Sequence, residues 1–204
     1  MRAGSIFVGA FFAVAVITGA WAGQHGQRPF VVELFTSQGC SDCPAADRLV
    51  TELAKRNDVI ALSLPITYWD MLGWKDTYAT DANTQRQKSY ARAMNRSGIY
   101  TPQMIIDGRL DVVGNQRDRV LAALMSLGSD EAAIPIFIGT ASGRVEIAIP
   151  ASKSKSRTPA TIWVMRTLAQ GSVNVEQGEN RNHLLTYTNV VRDLKRTDTR
   201  CESH

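Results

Sequence analysis

Apolar positions come in short blocks through the first two thirds of the chain and alternate with polar ones in the last third. Phe30-Val31-Val32-Glu33-Leu34-Phe35 is apolar and β-prone, which predicts a buried strand. From Cys43 onward Ala45, Ala46, Leu49, Val50 and Leu53 recur at helical spacing and predict a helix ending near Lys55 or Arg56. Pro44 suits only the first turn of such a helix. Val59 to Ile66 predicts a second buried strand, and the strand-helix-strand order with a short return implies parallel pairing.

A polar stretch of good helix formers from about Lys75 to Arg96 follows, with Gly98 placed to end it. Gln103–Ile106 and Leu110–Val113 flank Asp107-Gly108, the pattern of a tight hairpin. Asn115 is placed to cap a last helix, in which Val120, Leu121, Leu124 and Met125 keep helical spacing. After Gly128 the texture becomes alternating, as in Val145, Ile147 and Ile149 against Arg144, Glu146 and Ala148. Strands are expected at Ile134–Gly139, Arg144–Ile149, Thr161–Thr167, Val173–Glu176 and Leu184–Leu194, with a polar loop over 151–158.

The start of the chain reads as an export leader. Arg2 precedes an apolar stretch from Ile6 to Thr18, and Gly19-Ala20-Trp21-Ala22 offers small residues where a signal peptidase cuts. That stretch is short for a membrane span, which needs about 20 apolar residues. The expected organisation is a signal peptide over 1–22, one domain over 23–128 and a β-rich unit over 129–204. The alternative is an uncleaved anchor. Cleavage places the protein in a bacterial periplasm or outside the cell, with no stable membrane anchor. It also removes Arg2, taking the net charge from +4 to +3. No basic block suggests nucleic acid, and the 44% apolar composition fits a globular chain with a sizeable core.

An exported setting changes how the cysteines read, because disulfides persist there. Cys40 and Cys43 stand three apart in "TSQGCSDCPAADRL", just before the first helix. They are a working redox pair, a permanent disulfide, or half of a metal site. The remaining soft or imidazole ligands, His25, His183, His204 and Cys201, are remote in sequence or in tails, so neither metal nor cofactor is predicted. Cys201, in "RTDTRCESH", reads as an incidental thiol.

A strand, a Cys-x-x-Cys loop, a helix, a parallel strand, a helical insert, a Pro-led hairpin and a closing helix is the order of a thioredoxin-like domain. Through "VELFTSQGCSDCPAAD", "YWDMLGWKD", "YTPQMIIDG" and "GENRNHLLTYTNVVRDL" the chain resembles the secreted thioredoxin-like family catalogued as domain of unknown function 1223. These motifs run from Val32 to Leu194. The resemblance implies an α/β fold, a thioredoxin-like domain with an appended antiparallel β-rich C-terminal unit, and by itself supplies no reaction. One departure is the end of the chain: members commonly run further beyond the last strand, so a short β unit is expected here.

On that resemblance Cys40 is the nucleophile, exposed at a helix start that lowers its pKa, and Cys43 is the resolving thiol. The partners are protein or small-molecule thiols and disulfides. Glu33 stands where such domains keep a buried acid under the second cysteine. Otherwise it is a strand-edge carboxylate facing water. Pro102 takes the place of a cis-proline opposite the cysteines, with Thr101 offering backbone groups to an extended peptide. Tyr68, Trp69 and Trp74 form a binding rim or a cover over the core. Ser41 and Asp42 tune the pair, because a carboxylate close to Cys40 opposes the thiolate and favours the disulfide.

Overall fold

Strand β1 (Phe30–Thr36) is the hub, with neighbours hydrogen-bonded on both sides. The computed structural model describes residues 28–128, 136–141, 144–149 and 161–197. The expected leader over 1–22, the loop over 151–158 and Cys201 lie outside them. After β1 come α1 (Cys43–Leu53), β2 (Val59–Pro65), α2 (Asp81–Ala93), β3 (Gln103–Ile106), β4 (Leu110–Val113) and α3 (Arg117–Ser126). β5 (Phe137–Ala141), β6 (Arg144–Ala148), β7 (Ile162–Asn174) and β8 (Leu184–Thr197) complete the order.

The fold is mixed α/β, with one six-stranded sheet in the order β4-β3-β1-β2-β8-β7 and few helices. β1 runs parallel to β2 and antiparallel to β3, so Glu33 lies between Leu62 and Ile105. β8 lies parallel against β2 and antiparallel to β7. The stretch expected as an appended unit over 129–204 therefore supplies two strands of the main sheet, and among the described residues β5 and β6 pair apart from it.

Alternation along β1 sorts two cores onto the two faces of the sheet. Val32 and Leu34 pack with Ala46, Leu49 and Val50 of α1 and with Val120 and Leu124 of α3. Phe35 packs on the other face with Leu64, Ile105 and Val191, against Tyr90 and Met94 from α2 and the turn after it. A fully buried Leu or Phe side chain contributes about 1.5–3 kcal/mol, so these clusters hold helices and sheet together.

Several expected boundaries move, each for a local reason. The two strands predicted at Thr161–Thr167 and Val173–Glu176 are one strand, β7, continuously paired with β8 through a bulge at Arg166/Thr167. Gly171 lies inside it because a Cβ there would come 2.7 Å from the Tyr78 hydroxyl. The helix expected from Lys75 begins only at Asp81, where Thr80 Oγ1 accepts the Asn83 N–H at 3.2 Å. The stretch before it is a loop tied to the Asp76 carboxylate, which accepts the N–H groups of Tyr78 and Ala79 at 2.8 and 3.0 Å. α3 starts at Arg117 after Gln116 and has no side-chain cap, so Asn115 does not serve as one. In α1, Ala45 is exposed and Asp47 takes a buried place instead.

A second close approach joins core and site. A Cβ on Gly114 would sit 2.9 Å from Leu34 Cδ1, 3.2 Å from Ala46 Cβ and 3.3 Å from Pro102 Cβ. Gly114→Ala is expected to cost about 1–3 kcal/mol by overpacking, read as a lower urea midpoint at unchanged slope. An unchanged midpoint would show that α1 and the Pro102 turn separate freely.

Candidate functional site

Cys40 and Cys43 form a disulfide with their Cα atoms 5.4 Å apart, and Cys43 is the first residue of α1. Both are buried: Cys40 is 2% exposed and Cys43 0%. The expected exposure of Cys40 is thus not met, and the cause lies outside its own motif. Between β7 and β8 the chain folds over the cysteine loop, and Asn180 Nδ2 donates to the carbonyls of Gln38 and Cys40 at 2.9 and 2.8 Å. Beside it Glu179 Oε2 accepts the Ser41 N–H at 3.2 Å. Trp69 closes the other side; its Cβ lies 3.2 Å from where a Gly39 side chain would begin.

The aromatic loop fastens this arrangement. Trp74 Nε1 donates to Gln38 Oε1 at 2.8 Å, and Gln38 Nε2 donates to Thr77 Oγ1 at 3.0 Å. The Gln38 backbone N–H is taken by Asp76 Oδ2 at 2.8 Å. Trp69 Nε1 donates to Thr101 Oγ1 at 2.8 Å, and the Thr101–Pro102 bond is cis. Tyr68 and Trp69 are half-buried against the second core, which is their covering role; the exposed apolar residues of the loop are Met71 and Leu72. Ser41 and Asp42 are exposed, and the Asp42 side chain makes no capping hydrogen bond to α1.

Glu33 needs correction on both of its expected roles. It is 2% exposed, so it does not face water. It also points away from Cys43, because Leu34 faces α1 and successive strand residues face opposite ways. Its carboxylate is held on the α2 face by Arg86, through Nε at 2.5 Å and Nη2 at 3.0 Å, and by the Tyr90 hydroxyl. The Arg86 guanidinium stacks over Tyr90 and Trp163, 5.1 and 5.2 Å from their ring centres.

The carboxyl on the cysteine side is Asp47, which spacing alone did not mark as chemical. It is 4% exposed, one turn after Cys43 on the buried side of α1. Burial pushes its pKa well above the ordinary 3.8; the Thr36 hydroxyl and Arg48 pull it down and Asp76 pushes it up. Burial also raises Asp76, against the backbone N–H groups it accepts. Beside the pair lies fully buried Tyr187, whose hydroxyl burial and the two carboxyls hold in the protonated form. A pocket of about 260 Å³ reaches Asp47 between Pro44, Arg48, Leu184, Leu185 and Thr186. A larger one of about 620 Å³ runs beside Tyr100, with Arg96 and Arg119 on its walls and Val112 and Val113 among its lining.

Two outcomes follow from this geometry. Asn180→Ala strands two buried carbonyls and is expected to cost about 1–3 kcal/mol, with Cys40 and Cys43 more quickly reduced by dithiothreitol in stopped-flow. For Asp47 the folded protein binds the proton more tightly than the unfolded chain, so its contribution is complete below 3.8 and is lost as pH rises through the raised folded value. Asp47→Asn escapes that loss. Urea unfolding over a pH series should show the variant gaining on the native protein as pH rises, and a gap independent of pH would mean that Asp47 is not buried as described.

A crystal structure of a protein from Agrobacterium tumefaciens is similar to this chain, at 35% identity and a TM-score of 0.68, over 84% of this chain and 73% of that one. No curated protein matches it. The family described as "Protein of unknown function (DUF1223)" matches residues 31–202. Over nearly all of its described length, then, the chain belongs to the DUF1223 family.

Proposed function

We propose that this chain is an exported thiol-disulfide oxidoreductase of thioredoxin-like design, in which Cys40 exchanges with a partner thiol and Cys43 resolves the mixed disulfide. The observation that carries the reading is a Cys-x-x-Cys disulfide opening a helix, with a cis-proline turn, Pro102, packed close to that helix. The run β4-β3-β1-β2, with β1 parallel to β2 and antiparallel to β3, supports the thioredoxin-like assignment. The leader-like start supports export to the periplasm or beyond, where such a bond persists.

The exchange balances without a cofactor. A partner thiolate attacks Cys40 Sγ, the Cys40–Cys43 bond breaks, and Cys43 leaves as a thiolate that takes a proton. In the reverse direction Cys43 attacks the mixed disulfide and releases the partner. Two carboxylates set the bias: Asp42 stands beside Cys40, and Glu179 occupies the Ser41 N–H that would otherwise help hold a Cys40 thiolate. Both are exposed, so solvent weakens them, and the bias toward a reductant is modest. Exposed Met71 and Leu72, in the turn after Trp69, give a protein partner an apolar rim.

One observation favours a second reading, a binding module with an inert disulfide: Cys40 is 2% exposed and its carbonyl is clamped. Glutathione buffers of graded ratio separate the two, with free thiols counted by alkylation. The oxidoreductase gives a midpoint in the range of redox proteins, about −120 to −270 mV, and a bond closed throughout supports the inert module. Cys43→Ser is expected to trap mixed disulfides from a periplasmic extract and Cys40→Ser to trap none. Equal trapping by the two variants would refute the assignment of roles.

A further inference from the structure

We propose that Asp47, and not Glu33, is the group that gives a proton to Cys43 Sγ when the disulfide opens and takes it back when the disulfide closes. The proposal rests on the oxidoreductase reading and adds a residue to it.

Position is the first ground. Cys43 and Asp47 are four apart in α1 and both buried, so they stack on one face of the helix. Helical Cα–Cβ bonds tilt toward the N-terminus, which leans the Asp47 carboxyl back over the turn that holds Cys43. Glu33 cannot serve, since it lies across the sheet and is committed to Arg86 and Tyr90.

The second ground is an unmet hydrogen-bonding capacity. Asp47 Oδ1, Thr36 Oγ1 and Tyr187 Oη are all buried without a partner. Such orphans each cost about 1–3 kcal/mol; the Thr36 hydroxyl is near enough to the Asp47 carboxyl to lower its pKa, and Tyr187 feels the charge of that carboxyl. A structural carboxyl would be satisfied, as Asp76 is by Gln38, Tyr78 and Ala79. Asp47 Oδ1 is left without a partner one helical turn from the cysteine whose protonation must change.

The third ground is supply. The pocket lined by Pro44, Asp47, Leu185 and Thr186 brings solvent to the outer side of the Asp47 residue, beside the residue next to Cys43, which leaves a short path for a spent proton to be replaced. The charged and titratable groups facing Asp47 come from three elements: Asp76 from the loop before α2, Arg48 from α1 and Tyr187 from β8. Burial, with Asp76, raises the pKa of this carboxyl against the Thr36 hydroxyl and Arg48, a shift toward the range in which a group exchanging protons with a thiol is useful.

The step balances. On reduction the Cys40–Cys43 bond breaks, the incoming sulfur bonds to Cys40, and the electron pair goes to Cys43 Sγ, which receives the Asp47 proton. Asp47 is left as a carboxylate and recovers a proton from water. On closure Asp47, having first given its proton back to water, removes the Cys43 proton as a carboxylate, Cys43 Sγ bonds to Cys40, and the partner leaves as a thiolate.

The test uses the reduced full chain carrying Cys201→Ser, so that Cys40 and Cys43 are its two thiols, and 5,5′-dithiobis(2-nitrobenzoate), whose coloured thiolate is released twice: once when Cys40 attacks the reagent, and again when Cys43 resolves the mixed disulfide. Asp47→Asn is expected to keep the first phase and slow the second by about 100-fold near neutral pH. The second phase should recover in alkali, where the thiol ionises unaided. A second phase with native rate and pH profile overturns the proposal. A native protein that shows no first phase overturns the oxidoreductase reading, and this proposal with it. Should the variant not fold, difference infrared on the native protein decides: a protonated-carboxyl C=O band that shifts on reduction of the disulfide supports Asp47, and an unchanged carboxyl region refutes it.

Discussion

The cysteine loop is buried although it is neither helix nor strand, and that constraint organises everything around it. Backbone groups taken out of water need partners, and a loop cannot supply enough of its own. Inside the segment, Cys40 N–H reaches the Ser37 carbonyl at 3.2 Å and Gly39 N–H the Ser37 hydroxyl at 3.1 Å. The rest comes from far away: Asp76 takes the Gln38 N–H, and Asn180 supplies the Gln38 and Cys40 carbonyls. The loop before α2 and the turn between β7 and β8 are thereby fixed against the start of α1. β8 must then lie beside β2, where Ser63 Oγ donates to the Thr188 carbonyl and Asn189 Nδ2 to the Ala61 carbonyl.

A second consequence concerns how charge is distributed across the sheet. β1 carries a carboxylate through the middle of the molecule, and its alternation sends Glu33 to the face opposite the disulfide. There Arg86 and Tyr90 neutralise and satisfy it, so it costs little and does no chemistry that touches sulfur. On the cysteine side no such pairing is made for Asp47. Its burial is a standing cost of the folded state that rises with pH, because burial raises the pKa of the carboxyl. A group that weakens the fold where a reaction would use it is a reasonable mark of function.

The closed state of the site also bears on its chemistry. On the oxidoreductase reading, a disulfide that partners must reach is here covered by Asn180 on one side and Trp69 on the other. Exchange therefore needs the turn between β7 and β8 to lift, and the cover hydrogen-bonds to the loop through a handful of contacts that are individually worth about 1 kcal/mol. A motion of that size is within the range of local opening below the global unfolding energy.

Much of the frame was legible in the amino-acid order, because short apolar runs and helical spacing depend on neighbours in the chain. β1, α1, β2 and the hairpin of β3 and β4 follow from local pattern, as does the cysteine pair at a helix start. Family membership followed from motifs carried over the same span. What local pattern does not carry is the identity of the neighbour across space. Glu33 and Asp47 are both single acids in apolar surroundings, and only strand parity and helix facing decide which one meets Cys43. Asn180 looks like any loop asparagine until β8 is laid beside β2, since its two acceptors are 142 and 140 residues away. The chain order by itself determined the elements and the cysteine pair; the tertiary structure decided which acid lies on its side of the sheet and what covers it, because those depend on contacts between segments that no local periodicity encodes.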